Sequence, residues 1–417
     1  MEKFKKIENH QMTCLLFWLC WFAYFTSYIG RLNYSSAMTA MIQEAVLTKS
    51  QAGFISMVYF FAYGIGQLCN GILGDRIHPG KMIFTGLWIA ALANLCMGVT
   101  ENYYLMTMIW GINGYAQAMI WPPIIRIFAE MLSSKKKQKY CIDIVSSQVA
   151  GTLASYLLAA VVLWIIGWKA VFVTAAFCLT AMALFWKYGF GKVEKYSRKF
   201  GKMTEDGEQP NSETIEKISF SDLLMHTGLL TVIIPVVVHG ILKDGVTTWV
   251  PTFITENFLM SPSYSILITT VLPIINLTGA YAARYVFKKC GEREVMASVV
   301  FFGIAETALT GIWFVKNGSI VLTVIFFAVI TASMMAVNTL FVNMLALRFE
   351  NVGRVSTVSG FLNSMAYLGT AISTFTIGVM VEKLGWNLTI GSWVAVTFVA
   401  LLLCIVYKNR TLCYYTS

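Results

Sequence analysis

Residues 13–42 read TCLLFWLCWFAYFTSYIGRLNYSSAMTAMI. This run is apolar or neutral except at Arg31, and it exceeds the roughly 20 residues that an α-helix needs to cross the hydrocarbon core of a bilayer. Comparable stretches follow at 52–74, 82–99, 104–128, 142–166, 169–189, 228–254, 264–287, 295–315, 319–346, 355–382 and 388–407. They predict twelve transmembrane helices. Because lipid offers no partner to a peptide group, each span must satisfy its own backbone, which makes this an all-α membrane protein.

Composition points the same way. Of 417 residues, 57% are hydrophobic and 12% charged, about half the charged share of a soluble domain, so little chain remains for one. The formal charge of +10 is carried in short loops between apolar spans. That arrangement fits membrane orientation and argues against nucleic-acid binding. Nine cysteines form no CxxC pair and lie mostly in apolar segments, for example Cys20, Cys96 and Cys404, as small packing residues. With no P-loop, HExxH or GxSxG motif, neither an enzyme, a metal site nor a cofactor is expected.

Residues 191–222 are rich in Lys, Glu, Ser and Gly and read as a cytoplasmic linker. It separates a six-helix half at 1–190 from a second at 223–417. Lys and Arg gather in the tails and even-numbered turns, whereas the odd-numbered turns hold only Lys49, Lys169, Lys316 and Lys383. By the positive-inside rule both termini face the cytoplasm, in a multi-pass protein of the plasma (inner) membrane, expected to be monomeric. The basic start (Lys3, Lys5, Lys6) superficially suits a signal peptide. Cleavage would remove a helix that has a counterpart in the second half.

Two cations are left inside spans, Arg31 and Lys243, and a shift of about 212 residues lays one half on the other and Arg31 on Lys243. Parallel six-helix repeats of this kind characterise the major facilitator fold, whose substrate site lies between the halves at mid-membrane. A charge at that depth costs about 2.5–3.5 kcal/mol on the insertion scale, so it is retained for a water-filled path or a partner. Two such cations about 10 Å apart would repel by roughly 1.7 kcal/mol at an effective dielectric near 20, and an anion between them relieves it. A phosphate monoester suits an arginine fork on one side and a lysine point charge on the other. A dicarboxylate would also satisfy the pair.

Tyr24 and Tyr28 share a helical face with Arg31, and Tyr63, Trp121 and Tyr367 are further amphipathic rings inside spans. Asp75 and Arg76 read as a gating latch at the inner end of the second span. Asp244, Glu306 and His239 are the candidates for proton coupling. His239 lies one turn before Lys243, and Glu306 is expected to make a structural hydrogen bond. Asp244 follows Lys243 directly, and since adjacent helical residues point about 100° apart it is not expected to be the lysine's partner.

These residues resemble the organophosphate:phosphate antiporters of the major facilitator superfamily. The likeness rests on Tyr28-Ile29-Gly30-Arg31-Leu32-Asn33, Tyr63-Gly64 with Gly71 and Gly74-Asp75-Arg76, and Trp121-Pro122-Pro123 with Arg126. Trp249-Val250-Pro251-Thr252, Gly360-Phe361, Tyr367-Leu368-Gly369 and Gly385-Trp386 extend it over most of the chain. The resemblance implies that Arg31 matches the first phosphate-clamping arginine and that Lys243 takes the place of the second. It further implies that Tyr24, Tyr28, Tyr63, Trp121 and Tyr367 line the cavity. Gln67 stands where the glycerol-phosphate exchangers have a lysine, and Ser147 where they have a histidine, so the ester can differ from theirs.

The reading is a secondary transporter that exchanges a small anionic solute, an organophosphate ester, for inorganic phosphate by alternating access. The alternatives are a proton-coupled carrier of a carboxylate or other small solute, and a membrane sensor of a phosphorylated sugar.

Overall fold

The computed structural model describes residues 4–73, 77–201, 228–315, 318–346, 348–349 and 355–408. Polar residues before the apolar runs set the helix starts. The Asn102 side chain accepts from Leu105 N at 3.1 Å, and Ser261 and Ser319 cap the helices that follow them in the same way. Within the first half these starts give α1 (His10–Gln43), α2 (Lys49–Leu73), α3 (Pro79–Val99), α4 (Tyr103–Gln117) and α5 (Trp121–Met131). The basic helix α6 (Ser134–Asp143) leads into α7 (Val145–Ile165), and α8 (Trp168–Phe200) closes the series.

The fourth span is thus two helices. Pro122 and Pro123 lack the N–H groups that would continue α4, so the chain turns over 118–120 and restarts at Trp121. α8 runs eleven residues beyond the apolar stretch at 169–189, so the polar connection begins as helix.

The second half holds α9 (Leu230–Gly240), a π-helical turn (Ile241–Gly245), α10 (Val246–Phe258), α11 (Pro262–Thr269), α12 (Val271–Lys289) and α13 (Glu294–Val315). α14 (Ile320–Asn338) follows and passes into a second π segment (Thr339–Leu345). α15 (Val355–Tyr407) is kinked where Gly385 adopts φ 75°, a left-handed conformation suited to glycine, which divides the last two spans. Ten described segments are long and apolar enough to cross a membrane. Splitting α15 and joining α4 to α5 accounts for the twelve expected, and the fold is all-helical, as the sequence indicated.

The chain forms two compact units, one of Met1–Met41 with Phe61–Pro210, the other of Ile42–Phe60 with Asn211–Ser417. The N-terminal half of α2 therefore belongs to the second unit. In the first unit Leu16, Leu19 and Ala23 of α1, Ile83 and Leu87 of α3, Phe128 of α5 and Leu179 and Trp186 of α8 form a fully buried core. A methyl on Gly151 would fall 2.6 Å from Phe25 O, so α7 can lie against α1 there only as glycine.

The second unit uses the same device. A methyl on Gly240 would lie 1.9 Å from Ala366 O and one on Gly369 2.2 Å from Val237 O, so α9 and α15 touch backbone to backbone. Between membrane helices, where lipid is as apolar as leucine, such small-residue contacts and buried hydrogen bonds supply the attraction. Here Thr370 Oγ1 donates to Gly240 O at 3.0 Å.

Two arginines staple equivalent turns in the two units. Arg126 on α5 pairs with Glu130 at 2.6 Å and donates from Nη1 to Ile77 O at 3.0 Å, holding the turn before α3. Arg348, after α14, pairs with Glu294 at 2.6 Å and donates to Glu292 O, holding the turn before α13.

Candidate functional site

Arg31 lies about two thirds of the way along α1 and is 9% exposed. Its guanidinium carbon sits 4.5 Å from the ring centroid of Tyr63 on α2 and 5.5 Å from that of Tyr28, one turn earlier on α1. Tyr28 meets Tyr24 edge-on at 5.3 Å with their hydroxyls 3.5 Å apart, and Tyr24 in turn packs on Trp121 of α5 at 4.5 Å. Two of the five predicted rings, Tyr28 and Tyr63, therefore flank the predicted cation, and Tyr24 and Trp121 extend this aromatic cage outward from Tyr28. Ring faces carry negative quadrupole potential, and a desolvated cation over one gains on the order of 2 kcal/mol, comparable with the insertion cost of the arginine.

The backbone beneath this cage is held by amides that the charge pattern did not single out. Gly30 O accepts from Asn94 Nδ2 on α3 at 3.2 Å and from Asn113 Nδ2 on α4 at 3.0 Å, while Asn33 donates to Asn94 Oδ1 at 2.7 Å. All three asparagines are buried. Gly30 itself allows the approach, since a methyl there would lie 2.4 Å from Leu179 Cδ1. The signal for this network was available, because an amide in an apolar span needs an internal partner.

Lys243 lies in the π turn after α9, a geometry found often at functional positions in helices. Its Nζ is 3.1 Å from Asp244 Oδ2 and 3.3 Å from Oδ1, which corrects the expectation that these neighbours would not pair. The expectation assumed regular α-helix and short reach. The wider π turn changes the angular offset, and four methylenes let the ammonium swing back to the adjacent carboxylate. Thr247 and Thr248 bond back to Lys243 O and Asp244 O, which helps close this irregular turn.

The remaining predicted residues separate. Tyr367 stacks on Phe60 at 6.3 Å, with the rings 16° from parallel, and neighbours the Ala366 contact of α9. His239 is buried on α9, and its Nε2 has no hydrogen-bond partner among the described residues. Glu306 Oε2 on α13 is likewise buried without one, in place of the structural hydrogen bond expected. Asp75 and Arg76 lie outside the described residues. Ser147 is fully buried and donates to Ile144 O at 2.6 Å, so its hydroxyl proton is already used by the helix. Gln67 is half-buried on α2, one turn after Tyr63.

At the other end of α2, Lys49 Nζ pairs with Glu256 Oε2 on α10 at 2.9 Å, and the same oxygen accepts from Trp386 Nε1 at 2.8 Å. Ser50 N donates to Glu382 Oε2 at 2.7 Å. This cluster belongs to the second unit and was not foreseen, because its partners are 130 to 332 residues apart in sequence.

The chain resembles known transporters along most of its length. It is 24% identical to a probable hexose phosphate transport protein of Chlamydia muridarum (strain MoPn / Nigg), over 93% of this chain and 89% of that protein. It is 25% identical to a glycerol-3-phosphate transporter of Bacillus subtilis (strain 168), over 86% and 84%. The membrane sensor protein UhpC of Escherichia coli (strain K12) is 19% identical over 88% and 85%. Among solved structures, a bacterial homolog of the human lysosomal transporter Spinster superposes with a TM-score of 0.81 at 14% identity, covering 98% of this chain and all of that one. The sequence model of the Major Facilitator Superfamily matches residues 20–359, and the chain belongs to that superfamily.

Proposed function

We propose that this protein is a secondary antiporter that exchanges a phosphate ester for inorganic phosphate, with Arg31 as the principal anion ligand. The observation that carries the reading is the buried guanidinium of Arg31 against the rings of Tyr28 and Tyr63, which Tyr24 and Trp121 back through Tyr28. Cage and amide network together orient the arginine in advance. That spares part of the ordering cost of binding an anion, and a guanidinium is the side chain whose planar fork matches two phosphate oxygens.

Lys243 is the second ligand in this reading, by its equivalence to Arg31 in the internal repeat. Its local ion pair with Asp244 gives it a resting partner that an incoming dianion must outcompete. Exchange follows because reorientation is easiest when the cations are neutralised by an anion. The distribution of Lys and Arg supports cytoplasmic termini and an inner-membrane location, and residues 191–222 serve as the connection between the halves. The names of the relatives support a sugar phosphate or glycerol phosphate as the organic partner.

The experiment is counterflow. Proteoliposomes loaded with inorganic phosphate are offered labelled glucose 6-phosphate, glycerol 3-phosphate or succinate. The reading predicts uptake of one phosphate ester only when phosphate is inside. Uptake of succinate alone would overturn it.

The Lys243–Asp244 pair supports one second reading, in which a proton on Asp244 releases Lys243 and couples anion entry to proton entry. Uptake driven by a pH gradient into vesicles without internal phosphate would select it.

A further inference from the structure

A second basic cluster lies at the far end of the first unit from Glu101 and Lys169. Where the start of α3 meets α8, a cavity of about 340 Å³ is lined by His78, Lys81, Phe84, Trp186, Lys187 and Phe190, with Glu194 and Arg198 at its rim. Its floor is fixed: Trp186 Nε1 donates to Gly80 O at 2.9 Å, Trp186 and Phe190 stack at 5.0 Å, and any side chain on Gly80 would strike the Phe190 ring.

The acidic member of the cluster is already engaged. Glu194 Oε1 meets His78 Nε2 at 3.1 Å and Arg198 Nη2 at 2.8 Å. Lys187 Nζ lies 5.6 Å from the Phe84 ring, and Lys81 is exposed at the cavity edge. The pocket therefore presents two lysines beyond its internal ion pairs.

What lies next to it decides the ligand. From Lys81 one exposed stripe of α3 continues through Trp88, Leu92 and Leu95, and α8 continues from Lys187 through Leu184 to Phe177. Those spacings of three, four and seven keep each set on one helical face. In a membrane protein such a stripe faces acyl chains, so cations and chains are arranged as headgroup and tails require. A soluble phosphate would use the lysines but not the stripe. Basic pockets at the ends of membrane helices bind anionic lipid headgroups, each cation contributing about 1 kcal/mol, or roughly fivefold.

We propose that this pocket binds the phosphodiester headgroup of an anionic phospholipid, with Lys81 and Lys187 as its cationic ligands and the α3–α8 stripe as the bed for its chains. The site is separate from the Arg31 cage and independent of what that cage transports.

The test uses the full chain in detergent, incubated with equal amounts of dioleoyl-phosphatidylglycerol and dioleoyl-phosphatidylcholine, with retained lipid read by native mass spectrometry. The proposal predicts preferential retention of phosphatidylglycerol, and a loss of about thirtyfold in affinity in K81Q/K187Q, from fivefold for each lysine. The exposed pair K192Q/K195Q, on the same helix but off the pocket, should retain the lipid. Equal retention by K81Q/K187Q and the unaltered protein would overturn the proposal, as would an equal loss in both double variants. Displacement of the lipid by excess soluble glycerol phosphate would instead assign the lysines to a free anion and overturn the lipid assignment. All four substitutions are at exposed positions, and Arg31 is intact throughout, so a loss of lipid does not report on the transport site.

Discussion

The guanidinium of Arg31 lies 4.5 Å above the ring of Tyr63, which joins a buried cation of α1 to α2 within one unit. The contact needs the ring face and not the hydroxyl. Tyr63→Phe should therefore retain exchange within about threefold. Tyr63→Leu should weaken apparent substrate affinity on the order of tenfold to thirtyfold, the equivalent of a desolvated cation–π contact. Concentration dependence of exchange in proteoliposomes distinguishes the two, and equal loss in both variants would assign the role to the hydroxyl.

Lys243 and Asp244 form an ion pair at 3.1 Å, which under the proposed mechanism the anion opens. Neutralising Asp244 removes the competitor, so Asp244→Asn should tighten anion binding severalfold and slow release. Lys243→Ala should abolish exchange while folded protein remains. Calorimetric titration with the ester, alongside turnover, checks both signs.

The Lys49–Glu256 pair joins α2 to α10, with Trp386 on the same carboxylate oxygen. Half-exposed pairs of this kind are worth about 1 kcal/mol or less, so Lys49→Ala alone should have a modest effect. Lys49→Glu places two carboxylates together and should lower both exchange rate and melting temperature. The swap Lys49→Glu with Glu256→Lys should restore part of each. The Trp386 bond is lost in the swap, so rescue is incomplete, and no rescue at all would remove the pair from the account.

Asn94 ties α3 to α1 through Gly30 O and Asn33. Asn94→Ala takes away the acceptor of the buried Asn33 amide and one of the two donors to Gly30 O, at a cost of about 1–3 kcal/mol. A lower melting temperature with weakened exchange is expected, since α1 carries Arg31. Unchanged stability would show that the network does not set the position of the cage.

The spans were legible because burial in lipid imposes one rule on every segment. The proposed division into halves rests on α1 and the segment from α9 to α10 each carrying one cation at equivalent places. The contacts of Tyr28 and Tyr63 with Arg31, and of Tyr24 and Trp121 behind Tyr28, followed from spacing and resemblance together. The Lys243–Asp244 pair was not legible, since a π turn leaves no mark in hydrophobic periodicity. Neither was the Lys49 cluster, whose partners meet only through tertiary packing. The asparagine network falls between these cases, because buried amides in apolar spans signal a partner without naming it.

The most direct test of an Arg31-centred anion exchanger is uptake of labelled inorganic phosphate into proteoliposomes loaded with unlabelled phosphate, comparing the unaltered chain with Arg31→Ala. The account predicts rapid uptake that depends on internal phosphate and falls to the level of protein-free vesicles in Arg31→Ala. Undiminished phosphate exchange by well-folded Arg31→Ala would contradict it.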